Sequence, residues 1–160
     1  MGGVQMLLVL GAMLLLSILV LNTNRARFMS EQQMAQSEYT IAATAVGQSL
    51  ISEISSKTFD AATSTYEFAA VSSFTAPNSL GHNSSEVYPN YNDVDDYHGF
   101  NTEISTPRAG TFRLSVVVDY VNPATPDVRS SVRTRTKRIR VGVASDFLDT
   151  PVNLVYYKSH

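Results

Sequence analysis

The side chains able to do chemistry in this 160-residue chain are few and scattered. There is no cysteine, so no disulfide, thiolate zinc site or thiol nucleophile is available. The three histidines, His82, His98 and His160, stand in no HExxH spacing, no G-x-S-x-G context occurs, and no glycine-rich phosphate loop is present. His98 is near Asp95 and Asp96 in sequence, where an acid–base pair is conceivable, but no nucleophile accompanies it. These residue types predict no enzyme, no cofactor and no catalytic residue.

Two charged stretches remain. Asn90-Tyr91-Asn92-Asp93-Val94-Asp95-Asp96-Tyr97-His98-Gly99 gathers three carboxylates and two amides, oxygen ligands that suit calcium. The EF-hand rhythm of alternate ligands closed by a glutamate is missing, so the segment reads first as a solvated turn, with a calcium loop as the alternative and no metal ligand assigned. Half of the twelve Lys and Arg side chains fall between Arg129 and Arg140. They have three readings: solvation of a sheet face, contact with an acidic loop such as Asp93 to Asp96 of a neighbouring copy, or contact with nucleic-acid phosphates. A net charge of −2 argues against a dedicated nucleic-acid binder. Asn83-Ser84-Ser85 matches the N-glycosylation pattern.

The elements that carry these residues follow from periodicity. Phe112, Leu114, Val116, Val118 and Tyr120 alternate with Arg113, Ser115, Val117, Asp119 and Val121, the period of a half-buried strand. Asn122 to Asp127, with Pro123 and Pro126, reads as a turn. Val132 to Val143 is the next strand, with Ile139, Val141 and Val143 on one face and Arg138 and Arg140 on the other. Val152, Leu154 and Tyr156 make a last one behind Pro151, giving at least three antiparallel strands. Thr58 to Phe100, broken by Pro77, Gly81, Pro89 and Gly99, is a connector with a short strand expected near Tyr66 to Phe74.

A proline-free stretch precedes the connector and predicts one helix from Gly3 to Lys57. Ala35, Tyr39, Ala42, Ala43, Val46, Leu50 and Ile54 recur at spacings of three and four, a stripe suited to covering the sheet. The small residues Ala42, Ala43, Ala45, Gly47 and Ser49 are expected to face sister helices. Phe28, Tyr39 and Phe59 read as packing residues, and the poor helix formers Asn22-Thr23-Asn24 predict local loosening.

The whole chain is organised around Met1 to Leu21, which holds no charged side chain and one amide, Gln5. Val4 to Leu21 as a helix would be roughly 27 Å long, near the thickness of a bilayer's hydrocarbon core. It lacks the basic flank, short apolar core and small-residue cut site of a secretory signal. As a plain anchor, Arg25 and Arg27 would hold the C-terminal part in the cytoplasm.

This layout resembles the type IV pilin-like family of mature pilins and related filament subunits: an apolar N-terminus, one polar residue at position 5, an unbroken apolar run and an amphipathic helix leading into a β-rich head. The resemblance covers Met1 to Lys57 closely and the head loosely. Gln5 stands where the family carries glutamate, and the proline many bacterial members have near the end of the apolar run is absent. The resemblance implies an α+β fold, a long N-terminal helix packed against a C-terminal antiparallel sheet. Residues 1–57 form the helix, with 1–21 as membrane or filament-core segment, and 58–160 the head, with connector 58–100 and sheet 101–160. It implies assembly contacts at Met1, Gln5, Leu8, Ala12 and Leu15, and leader cleavage and methylation at Met1. The partners would be identical subunits in a helical filament, the membrane before assembly, and a prepilin peptidase with its assembly machinery. The chain would pass from the cytoplasmic membrane to an extracellular surface filament for attachment, motility or display. A secretion-system pseudopilin and a monomeric membrane-anchored module are the alternatives.

Overall fold

A computed structural model describes residues 2–65 and 69–160, with the side chains of 64 and 65 left aside. Helix α1, Gly3–Ser56, runs 54 residues, as the absence of proline and the wealth of Leu, Ala and Met allow. It passes through Asn22-Thr23-Asn24 without a break, against the expected loosening. The hydroxyl of Thr23 donates to the Leu19 carbonyl at 2.8 Å, a bond back to the preceding turn that takes the side chain out of competition with the helix. The chain divides into two compact units, Met1–Glu38 and Tyr39–His160, so the last turns of α1 belong to the second unit.

Within that second unit, a short helix α2 spans Ala61–Thr65 and five strands follow: β1 (Asn101–Thr106), β2 (Gly110–Asn122), β3 (Thr125–Arg129), β4 (Thr136–Ala144) and β5 (Val152–Ser159). All pairings are antiparallel. The sheet order is β1-β2-β4-β5, and β3 folds back on the end of β2. The architecture is α+β, with the helix lying against an antiparallel sheet.

The alternation in β2 is realised: Phe112, Leu114, Val116, Val118 and Tyr120 all point into the core. The first four meet Ile139, Val141 and Val143 of β4 and Ala43, Leu50, Ile51 and Ile54 of α1, with Val152, Leu154 and Tyr156 of β5 packed at the margin. A second cluster of Phe59, Ala69, Phe74 and Tyr120 lies at the other end of β2. Tyr39 stacks on Phe147 and Phe59 tilts against Phe74, so both rings are packing residues, as read.

Four expectations need correction. The small face of α1 is turned inward: Ala43 and Gly47 are buried, and a Cβ added at Gly47 would stand 2.6 Å from Leu154 Cδ1 and 3.0 Å from Val143 Cγ2. Small residues there serve the close approach of helix and sheet, while Ala45 and Ser49 are exposed. The turn after Asn122 is shorter than expected, because Asn122 already pairs with Thr125 and Pro126 is tolerated in the short β3. The strand expected from Val132 starts only at Thr136, since the Ser130 and Thr134 hydroxyls satisfy nearby backbone groups and hold a turn instead. In the stretch expected as a strand, Val71–Ser73 is a 3-10 turn, and Tyr66 to Phe68 lie outside the described residues. The strand β1 went unread because NTEIST carries a single large apolar residue, Ile104.

Candidate functional site

Two features stand out, one in each unit. In the first, fourteen large apolar side chains between Val4 and Leu21 are exposed, and none of the most apolar 18-residue window is buried. At about 1.5–3 kcal/mol for each such side chain left in water, they would cost tens of kcal/mol, more than the roughly 5–15 kcal/mol that holds a domain folded. A non-aqueous environment must cover this surface, and the helix is long and apolar enough to cross a membrane. Gln5, Leu8, Ala12 and Leu15, spaced three, four and three apart, share one helix face, and all four are exposed. Met1 lies outside the described residues. A Cβ added at Gly11, beside Ala12, would meet nothing within 4 Å.

The second feature overturns the reading of Asp93 to Asp96 as a solvated turn. Asp93, Asp95 and Asp96 are all buried, in and beside a 3-10 turn at Asp95–Tyr97. Asp93 Oδ1 accepts the N–H groups of Asp95 (2.7 Å) and Asp96 (3.3 Å), and Asp96 Oδ2 accepts those of Asn92 (3.0 Å) and Asp93 (3.4 Å), so two of the carboxylates hold the turn's own backbone. Tyr97 donates its hydroxyl to Glu53 Oε1 at 2.7 Å, tying the turn to α1. Among the described residues, no group of three or more acidic, histidine or cysteine side chains is arranged to hold a metal ion.

The positive partner of this turn is Lys137, a core residue. Its register in β4 puts it on the inward face with Ile139, Val141 and Val143, opposite Tyr120 of β2. The ammonium is fully buried, 2.9 Å from Asp60 Oδ2, 2.5 Å from Asp95 Oδ1 and 2.7 Å from the Phe59 carbonyl oxygen, above the rings of Phe59 and Tyr120. The two carboxylates differ in their surroundings. Asp60 accepts from the N–H groups of Ala62 and Thr75 and from the Tyr120 hydroxyl. Burial alone would raise its pKa, but the Lys137 charge and the Thr75 hydrogen bond outweigh that and hold it below the ordinary carboxylate range. Asp95 lacks such support, and burial pushes it up to about 7 despite Lys137. Burial, reinforced by the neighbouring Asp96 charge, raises Asp93 to about 6.

The basic run is likewise engaged within its own chain. Asp119, buried, accepts from Arg138 at 3.2 Å and from Arg140 at 2.8 Å and pairs with Arg129 at 3.5 Å, while Arg133 donates to the Phe74 carbonyl at 2.6 Å. Neither Asp93 to Asp96 nor these arginines are presented as a pair of complementary surface patches. The histidines are packing residues too. His98 Nδ1 faces the Val118 carbonyl at 2.8 Å, His82 stacks on Tyr91, and His160 stacks on Phe59. Lys158 closes the C-terminal end of α1 by donating to the carbonyls of Ser55 and Lys57.

The sequence reading gave Asp60 and Lys137 no role and set Asp119 only on the face of its strand opposite the apolar residues, whereas it is buried. Lys137 was within reach, since it has the inward parity of Ile139 and Val141, and an inward lysine demands a buried carboxylate. Comparison with protein-family models, with curated proteins and with solved structures finds no match for this chain.

Proposed function

We propose that this protein is a structural subunit that waits in a membrane by its apolar N-terminal helix and polymerises through that helix into a type IV pilus-like filament at the cell surface. One observation carries the reading: from Val4 to Leu21 the helix exposes apolar side chains on all sides. A single membrane anchor needs that surface only for lipid. A filament subunit uses it twice, first against lipid and then against copies of itself, which cover it by close van der Waals packing. Repeated head-to-tail contacts that do not close give a helical fibre. The layout described above for the pilin-like family supports the same reading. In this role Gln5, Leu8, Ala12 and Leu15 line the inter-subunit seam. Gln5 offers its carbonyl to the N-terminal ammonium of the next subunit, a hydrogen bond roughly half as strong as a carboxylate would make.

The chain's lack of cysteine gives a clean test. Single substitutions Leu8→Cys and Leu15→Cys, oxidised in intact cells that express the protein, are expected to yield covalent dimers through the apolar helix in surface material. Recovery of the chain in the membrane fraction alone, without covalent dimers, would favour the monomeric anchored module.

A further inference from the structure

Lys137, Asp95 and Asp60 are placed as an amine, a carboxylic acid and a base. The amine nitrogen is fully enclosed, under the rings of Phe59 and Tyr120, with the Phe59 carbonyl as a third contact. Asp95 is the odd member. Lys137 Nζ is 2.5 Å from its Oδ1, yet among the described residues neither Asp95 oxygen receives a hydrogen bond of good alignment. A buried carboxylate that serves only as a counter-ion is normally wrapped in donors, as Asp60 is by Ala62, Thr75 and Tyr120. The nitrogen thus stands against an acid whose carbon no donor network protects, beside a second carboxylate fixed in the role of acceptor.

We propose that Lys137 and Asp95 condense into an intramolecular isopeptide bond, with Asp60 as the base. Asp60 takes a proton from the Lys137 ammonium along the 2.9 Å contact. The freed lone pair on Nζ attacks Cγ of Asp95 in its neutral acid form, and a C–N bond forms. The tetrahedral intermediate gives up its remaining excess N–H proton to its own departing hydroxyl through the Asp60 carboxyl, the C–O bond breaks, and one water leaves. Amine and acid become an amide, Asp60 retains the proton first taken from the ammonium, and nothing is oxidised or reduced. Burial favours the neutral acid: it pushes Asp95 up to about 7, so that near neutral pH much of it is the form whose hydroxyl can depart. The aromatic walls keep bulk water from reversing the step. The product joins the 3-10 turn at Asp95–Tyr97 to β4 and so fastens the connector to the sheet. In a chain without cysteine it provides the covalent tie that a disulfide would give.

The test is mass spectrometry of the full chain, folded in detergent and held near neutral pH for days. The expected result is an intact mass one water below that of the otherwise identical chain carrying Lys137→Arg, after allowing for the substitution, and a branched peptide joining the Asp95 and Lys137 segments after proteolysis. Asp60→Asn, which keeps amine and acid but removes the base, is expected to show the branched peptide at less than a tenth of the wild-type level. Should either variant fail to fold, the wild-type digest alone decides. Folded wild-type protein with only linear Asp95 and Lys137 peptides overturns the proposal, as does a branch from Lys137 to Asp60.

Discussion

At the residue scale, the chemistry is that of burial. Gln5 is the only amide in the apolar run, and Gln5→Leu removes the hydrogen bond proposed for it without shortening the hydrophobic stretch. That change is expected to lower filament yield severalfold while membrane insertion, read by extraction into detergent, stays as it is; unchanged yield would remove the role given to the amide. Asp93 predicts a pH dependence. Its folded pKa of about 6 lies above the ordinary 3.8, so between those values the folded state binds more protons than the unfolded one, and stability falls as pH rises through that window. Urea midpoints should therefore drop between about pH 4 and pH 7 by more in the wild type than in Asp93→Asn, which keeps the Oδ1 acceptor for the turn and cannot ionise. Asp60 acts with the opposite sign below its ordinary pKa, where protonation costs the pair with Lys137. Identical pH profiles for the two proteins would contradict the burial assigned to Asp93.

At the element scale, α1 is one helix with two kinds of surface, and its two interior glycines separate them. A side chain at Gly47 collides with Leu154 and Val143, whereas one at Gly11 meets open space. Gly47→Val is expected to destabilise the second unit by about 1–3 kcal/mol, as overpacking does, in a thermal or denaturant melt. Gly11→Val should leave that melt unchanged and act on assembly alone. Similar losses from both would mean that the glycines are not sorted as described. Much of this element was legible in the sequence: the helix's bounds, the stripe through Tyr39, Val46, Leu50 and Ile54, and the inward parity of β2 all follow from period and composition. The direction of the small face was not, because periodicity places Ala43 and Gly47 on a face without saying whether a sheet or another helix fills it. The buried turn at Asp95–Tyr97 was hidden for a related reason. Three carboxylates read as solvent-facing until Lys137, some forty residues on, is seen to enter the same space.

At the scale of the whole molecule, a head with its own core is joined in one chain to an apolar helix that cannot remain in water. The head is self-contained in its charges: Lys137, Arg138 and Arg140 are answered by Asp60, Asp95 and Asp119 of the same chain. In the proposed filament, assembly would draw on the apolar helix, whose uncovered surface is worth tens of kcal/mol by the usual burial scale. The central claim is that this surface is finally covered by copies of the same chain and not by lipid. The most direct measurement is negative-stain microscopy of material sheared from the cell surface, with mass spectrometry of the fibres to identify the subunit and its N-terminal residue. Thin fibres built of this chain are the predicted result. Recovery of the chain only from detergent-extracted membranes, and never in fibres, would contradict it.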